Sequence, residues 1–169
     1  VTESVEVRMK SLWSQHTTKI KKAQKNGILI SEAQWQDSDN FFSILQQTWK
    51  EKVFNIIWPK TYNTLIERMQ KENTWRLYVA KQWNQIVAWA IYLIDKNHKT
   101  SIYLYWWTDK THRNSWASQL LHREAMNLLQ HKWIETIDLL WWWPTWFPEH
   151  HLSSVWTFKE WFGWEKIDY

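Results

Sequence analysis

The chain has 169 residues, a formal net charge of +4 and no cysteine. That length suits one domain with a full core, the missing cysteines exclude disulfides and thiolate metal sites, and no run reaches the roughly 18 apolar residues of a membrane span. A pI near 9.2 leans towards an anionic partner.

In chain order, Met9 to Asn26 reads as a helix ending at Gly27, with Lys19, Lys21, Lys22 and Lys25 near its end, where lysines suit the helix dipole. They form either a solvated face or a phosphate-contacting one. Ile28 to Ala33 reads as a short strand, and Asp37 or Ser38 caps a helix through Phe41, Phe42, Ile44 and Leu45. Val53 to Ile57 is extended up to Pro59, and Thr61 to Lys71 is helical. Arg76 to Lys81 and Gln85 to Asp95 form a hairpin over Trp83-Asn84, and Thr100 to Trp107 is the next strand. A long amphipathic helix runs from about Ser115 to Lys132, with Ala117, Leu120, Leu121, Ala125, Leu128 and Leu129 on one stripe. Ile134 to Leu140 is a buried strand. After a loop come a short helix with Val155, Phe158 and Phe162 and a last strand from Lys166 to Tyr169. The order predicts an α/β (α+β) fold, a mixed central sheet flanked by helices.

The composition is unusual in one respect. There are 18 Trp and 2 Gly, whereas average usage predicts roughly 12 Gly in a chain of this length. Several Trp stand where the backbone wants glycine. Trp83 opens the hairpin turn, Trp133 follows the long helix at the place of a left-handed cap, and Trp141-Trp142-Trp143 precedes Pro144 at a strand end. Two readings account for this. Either most Trp stand for glycine, as when UGA codons that mean glycine in the source are translated as tryptophan, or the rings are real and form an aromatic, sugar-binding surface.

The stretch Tyr103-Leu104-Tyr105-Trp106-Trp107-Thr108, then Asp109 to Ser115, then the helix from Trp116-Ala117-Ser118, joins a strand through a short loop to a helix N-terminus. Unpaired amides and the helix dipole make that layout an anion site. Arg113 suits phosphate or simply faces solvent. The amides of Trp116, Ala117 and Ser118 hold a phosphate only if residue 116 leaves the backbone approachable, as glycine does; otherwise this is an ordinary helix start. The seven histidines show no paired ligand spacing, and no nucleophile elbow is visible, so no metal or cofactor is expected.

The element order resembles the GNAT acyltransferases. Arg113-Asn-Ser-Trp116-Ala117-Ser118 resembles their Arg/Gln-x-x-Gly-x-Gly/Ala signature with Trp116 in a Gly place. More closely, the chain resembles the second GNAT-like domain of the Fem family, the aminoacyltransferases that build peptidoglycan cross-bridges. Four stretches carry the likeness: Ile20 to Ile28; Tyr103 to Thr108, set against Tyr-x-Tyr-Gly-Gly-Ser/Thr; Arg113-Asn114 with Leu120-Leu121 and Glu124-Ala125; and Asp138 with Trp141-Trp142, followed by Phe158-Lys159-Glu160-Trp161-Phe162-Gly163. It departs at Thr17, where the family often carries arginine. Val1 in place of an initiator Met, and the presence of one such domain rather than two, point to a C-terminal piece of a longer two-domain chain.

The resemblance implies transfer of an amino acid from aminoacyl-tRNA to an amine of a lipid-linked or nucleotide-linked peptidoglycan precursor, in the cytoplasm at the inner face of the membrane. It implies Lys159 as the donor that steadies the tetrahedral oxyanion, Asp138 as the group that orients the amine or takes its proton, and Thr108, Arg113, Trp116, Ala117, Ser118, Phe158 and Phe162 as substrate-binding or phosphate-binding residues. On the residues alone, Lys159 is also a surface lysine, Asp138 also a loop-holding carboxylate, and Phe158 and Phe162, one helical turn apart, also core. The alternatives are an acyl-CoA-dependent N-acyltransferase of the same fold and a non-catalytic binding module.

Overall fold

The computed structural model describes residues 17–33 and 71–140. Residues 17–25 form a helix, α1. It is followed by β1 (Leu29–Glu32), β2 (Trp75–Gln82), β3 (Gln85–Asp95), β4 (Thr100–Thr108), a 3₁₀ turn (Lys110–Ser115), α2 (Ala117–His131) and β5 (Thr136–Asp138). The elements expected around Phe41, Val53, Val155 and Lys166 lie outside the described residues, as does nearly all of the helix expected over Thr61 to Lys71.

The five strands form one sheet in the order β1-β2-β3-β4-β5. Neighbours are antiparallel from β1 to β4, and β4 pairs with β5 in parallel after the α2 crossover. The sheet is therefore mixed, as the element order predicts. Period-2 alternation divides its side chains between two faces. Tyr78, Ala80, Ala88, Ala90, Tyr92 and Tyr103 pack under α1 and α2, against Ile20, Ala23, Leu120, Leu121, Ala125 and Leu129. Trp75, Leu77, Val79, Trp89 and Ile91 form a second cluster. The registers shift between Ala80 and Lys81 and between Ile91 and Tyr92, irregularities that bend the paired strands.

Two helix ends have the same construction. At the end of α1, Ile28 N–H donates to Ala23 C=O and Gly27 N–H to Gln24 C=O. At the end of α2, Ile134 N–H donates to Leu129 C=O and Trp133 N–H to Gln130 C=O. This is one left-handed capping motif used twice. Its turning residue is glycine at φ +74° in the first case and Trp133 at φ +70° in the second. In the hairpin, Trp83 and Asn84 both have positive φ, 50° and 67°, which makes a type I′ turn. The Trp83 and Trp133 rings project into solvent, 89% and 84% exposed. They gain little by burial while their backbones sit in a region costly to any residue with a Cβ. Trp83→Gly and Trp133→Gly are each expected to stabilise the fold by about 1 kcal/mol, read from the midpoint of denaturant unfolding. An unchanged or lower midpoint in both would show that the rings contribute packing.

Two expected boundaries shift. The residues 110–115 form a separate 3₁₀ turn, so α2 begins at Ala117 rather than near Ser115. The strand expected over Ile134 to Leu140 shrinks to three residues that are exposed or half-buried, because β5 has a partner only on its β4 side among the described residues.

Candidate functional site

The site lies where β4 passes into α2. Asp109 caps the 3₁₀ turn. Its carboxylate accepts from the Thr111 amide and hydroxyl, both at 2.9 Å, and lies 3.0 Å from His112 Nδ1. Burial pushes the Asp109 carboxyl up, but the hydrogen bonds from Thr111 and His112 outweigh it and hold it below the usual range. Ser115 Oγ donates to His112 C=O and accepts from the Ala117 amide at 3.3 Å. Trp116 then turns the chain with φ 62° and ψ 23°, left-handed, and its own side chain makes no capping bond to α2.

Of the residues singled out in the sequence, five meet here. Thr108, at the end of β4, and Ser118, in the first turn of α2, join through their hydroxyls. Arg113 is exposed on the 3₁₀ turn. Trp116 and Ala117 form the junction itself. The Ala117 amide already has a long bond to Ser115 Oγ, so an incoming anion competes there and finds the next amides of the turn more open. The Trp116 ring packs against the core cluster, with the Lys19 ammonium of α1 4.6 Å from its centroid. One lysine of the basic helix end thus lies against the loop.

Asp138 lies elsewhere. It pairs with Ile102 on β4, six residues before Thr108, which at strand rise is roughly 20 Å away. Its Oδ1 accepts from the Leu140 amide at 2.7 Å, the loop-holding role. Beyond Ile102, β5 no longer accompanies β4. Along Tyr103 to Thr108 no described strand covers that edge. This end of the pairing was not legible in the sequence, because strand pairing leaves no local signal where it stops. Lys159, Phe158 and Phe162 lie outside the described residues. Among those residues no group of His, Cys, Asp and Glu is placed to hold a metal, and no helix is long and apolar enough to cross a membrane.

The sequence also missed a buried polar set beneath the site. His122 of α2 is 1% exposed. Its Nδ1 lies 2.7 Å from the Tyr92 hydroxyl and its Nε2 2.9 Å from the Tyr103 hydroxyl. Burial pushes the imidazole down to about 3 and both phenols well up. The only signal was a histidine falling on the apolar stripe of α2.

No family model and no curated protein matches the sequence. Solved structures do match. FemX superposes with a TM-score of 0.74 at 11% identity, over 95% of this chain and 56% of its own. A Clostridium acetobutylicum protein described as a predicted acetyltransferase, with acetyl-CoA, gives 0.63 at 17% identity over 83% of this chain and 92% of its own. AAC(6')-Iy, in complex with the bisubstrate analog CoA-S-monomethyl-acetylneamine, gives 0.64 at 11% identity over 84% and 93%. With the mixed sheet, the α2 crossover and the loop at its head, these matches establish that the chain has the GNAT-like α/β fold.

Proposed function

We propose that this chain is an acyl-transfer domain of the Fem type, moving an amino acid from aminoacyl-tRNA to an amine of a peptidoglycan precursor that is lipid-linked or nucleotide-linked. The observation that carries the reading is the FemX superposition, which takes in 95% of the chain, against 83–84% for the two acetyltransferases described. The motifs at Tyr103–Thr108 and Arg113–Ser118 support it, since they fall at the two sides of one junction. The chain spans 56% of FemX, and most of the acceptor is assigned to a second domain or to the space between the two, with its amine reaching this one, on the cytoplasmic side of the membrane.

In the reaction, the unprotonated amine attacks the ester carbonyl carbon of the donor. A tetrahedral oxyanion forms and its C–O bond to the ribose breaks. The tRNA hydroxyl leaves with the proton the amine loses, and an amide remains. Lys159 is assigned to the oxyanion and Phe158 and Phe162 to the wall beside it. Asp138 is assigned to the amine, with one oxygen already holding the Leu140 amide. Phosphate is assigned to Arg113 and the amides of Trp116, Ala117 and Ser118, with the Thr108–Ser118 hydroxyl pair holding the two sides together.

The reading includes glycine, in the native protein, at most positions written here as Trp. The same capping motif turning on Gly27 and on Trp133, and the positive φ of Trp83 and Trp116, support it. Intact mass is the check. A native protein lighter by many Trp-to-Gly differences is expected; the full Trp mass would remove this part and turn attention to an aromatic, non-catalytic binding surface.

A specific observation also favours an acyl-CoA donor, since two matched structures carry acetyl-CoA or a CoA analog. Incubation with labelled aminoacyl-tRNA and, separately, labelled acetyl-CoA discriminates. Transfer from the tRNA ester is expected, and transfer from acetyl-CoA alone would overturn the choice. Under either donor, Arg113→Ala is expected to raise KM for the donor about tenfold with little change in kcat, as for loss of one charged phosphate contact. An equal fall in kcat at constant KM would place Arg113 at the reacting atoms instead.

A further inference from the structure

Residues 17–25, which form α1, include four lysines and no carboxylate. Ile20 and Ala23 face the core. Helical geometry puts Lys21, Lys22 and Lys25 on the opposite side, where all three are exposed, with Thr18 and Gln24 among them. None of the three takes part in an ion pair among the described residues. Lys19, on the flank of α1, sets its ammonium 4.6 Å from the centre of the Trp116 ring. The lysine face therefore begins at the anion loop that carries Arg113 and continues from it for about 9 Å, the rise from Lys19 to Lys25.

This is not the pattern of an ordinary solvated face, which interleaves lysine with glutamate one turn apart. Here Lys21 and Lys25 stand one turn apart and repel each other. The negative end of the α1 dipole favours the lysines of the last turn, Lys22 and Lys25, but its effect fades beyond that turn, so it does not account for Lys19 and Lys21. At the far end of the sheet the carboxylates have cations beside them. Glu32 pairs with Arg76 and Lys132, Glu135 with Lys99 and Asp95 with His98. At the loop, Asp109 is the one carboxylate between Thr108 and Ser118, and its oxygens face Thr111 and His112. The three lysines thus extend the phosphate loop with positive charge.

We propose that the outer face of α1 holds the sugar–phosphate backbone of a duplex RNA, which on the acyl-transfer reading above is the acceptor stem of the donor. The loop takes a phosphate near the acyl end, and Lys21, Lys22 and Lys25 take phosphates farther back along the strand. The inference rests on that reading for the identity of the RNA. Residue types select duplex backbone among polyanions. The exposed residues Thr18, Lys21, Lys22, Gln24 and Lys25 include no ring on which an unpaired base could stack and no Trp, Phe or Leu to enter a membrane interface. Lysines and short polar side chains suit contacts to phosphate and sugar.

The test is fluorescence anisotropy of the full chain with a labelled RNA hairpin ending in single-stranded CCA, and with the CCA trinucleotide alone, over a series of salt concentrations. Lys21→Gln, Lys22→Gln and Lys25→Gln, made together, are expected to lower hairpin affinity about tenfold or more and to reduce the slope of log K against log salt by about 2 to 3, roughly one for each phosphate contact removed. CCA binding is expected to stay the same. The changes lie on an exposed helix face, and a melting temperature at or above the wild type's, as relief of the Lys21–Lys25 repulsion allows, checks the fold. Replacing the same three lysines by arginine keeps the charge and is expected to keep hairpin binding. Hairpin affinity and salt slope unchanged in the glutamine variant would overturn the proposal. So would an equal loss of CCA binding, or binding of phosphatidylserine vesicles in place of the hairpin, which would assign the face to a membrane. The donor reading fails separately. Transfer from acetyl-CoA alone, with hairpin binding still dependent on the three lysines, removes the tRNA donor and keeps the RNA surface. Transfer from aminoacyl-tRNA with hairpin binding indifferent to the lysines does the reverse.

Discussion

Trp116→Gly is expected to raise affinity for the phosphate-bearing donor by tenfold or more, while changing fold stability by less than about 1 kcal/mol. The small stability change follows from opposed effects. The left-handed backbone at φ 62° costs a residue with a Cβ about 1–2 kcal/mol, which glycine recovers. Against this, glycine forfeits the ring's packing on the core cluster and its contact with Lys19, the latter about 0.5–1 kcal/mol for a partly exposed cation on a ring. The affinity gain has a different origin. Without a side chain at 116, a phosphate approaches the first amides of α2 directly, and the Lys19 ammonium faces that anion instead of the ring. Trp116→Ala separates the two causes, because it removes the ring but keeps the Cβ and its strain. It is expected to gain only part of the affinity and to melt below Trp116→Gly. Fluorescence or calorimetric titration with CoA and with aminoacyl-tRNA reads both variants. No gain for either donor in Trp116→Gly would mean that the α2 N-terminus is not the phosphate site, whatever the fold.

Acid is expected to destabilise the domain through His122. In the fold its pKa is pushed down to about 3 by burial, while in the unfolded chain it sits near 6.5. Between those values the unfolded state binds a proton that the folded state refuses. Stability is therefore full above about pH 6.5 and is lost as pH falls towards 3. From pH 7 to pH 5 the loss from this one residue is about 2 kcal/mol, a large fraction of a typical domain's stability. Burial holds the ring neutral, and in that state its one donor and one acceptor nitrogen are both served by the tyrosine hydroxyls. His122→Gln keeps a polar group that serves the two hydroxyls but does not titrate. It should start less stable at pH 7 and then lose about 2 kcal/mol less than the wild type down to pH 5. Urea unfolding at pH 7, 6 and 5 gives the comparison. Parallel curves for the two proteins would show that other groups cause the acid loss.

Much of the domain was legible before its structure. The alternation in Arg76 to Lys81 and Gln85 to Asp95, the apolar stripe of α2 and the turn at residues 83–84 are local signals, and local physics answers them: a pleat buries every second side chain, and a helix buries every third or fourth. Left-handed turns belong in part to the same class. Trp83, Trp116 and Trp133 have positive φ in the structure, as do Asn73, Asn84, Lys99 and Leu140, and those at residues 83–84 and 133 were readable from element boundaries. Gly27 and Trp133 occupying one motif is the clearest instance.

What the sequence by itself determined, among the described residues, was the order and type of the elements, the left-handed turns at residues 83–84 and 133, and a strand–loop–helix junction after Thr108. Only the tertiary structure decided which distant groups meet. It set Lys19 against residue 116, locked Thr108 to Ser118, buried His122 between two tyrosines and placed Asp138 roughly 20 Å down the strand from the loop. It also ended the described pairing of β5 with β4 at Ile102. The physical reason is that periodicity and turn chemistry act within a few residues, whereas pairing register, strand divergence and side-chain meeting depend on where the whole sheet and its helices settle.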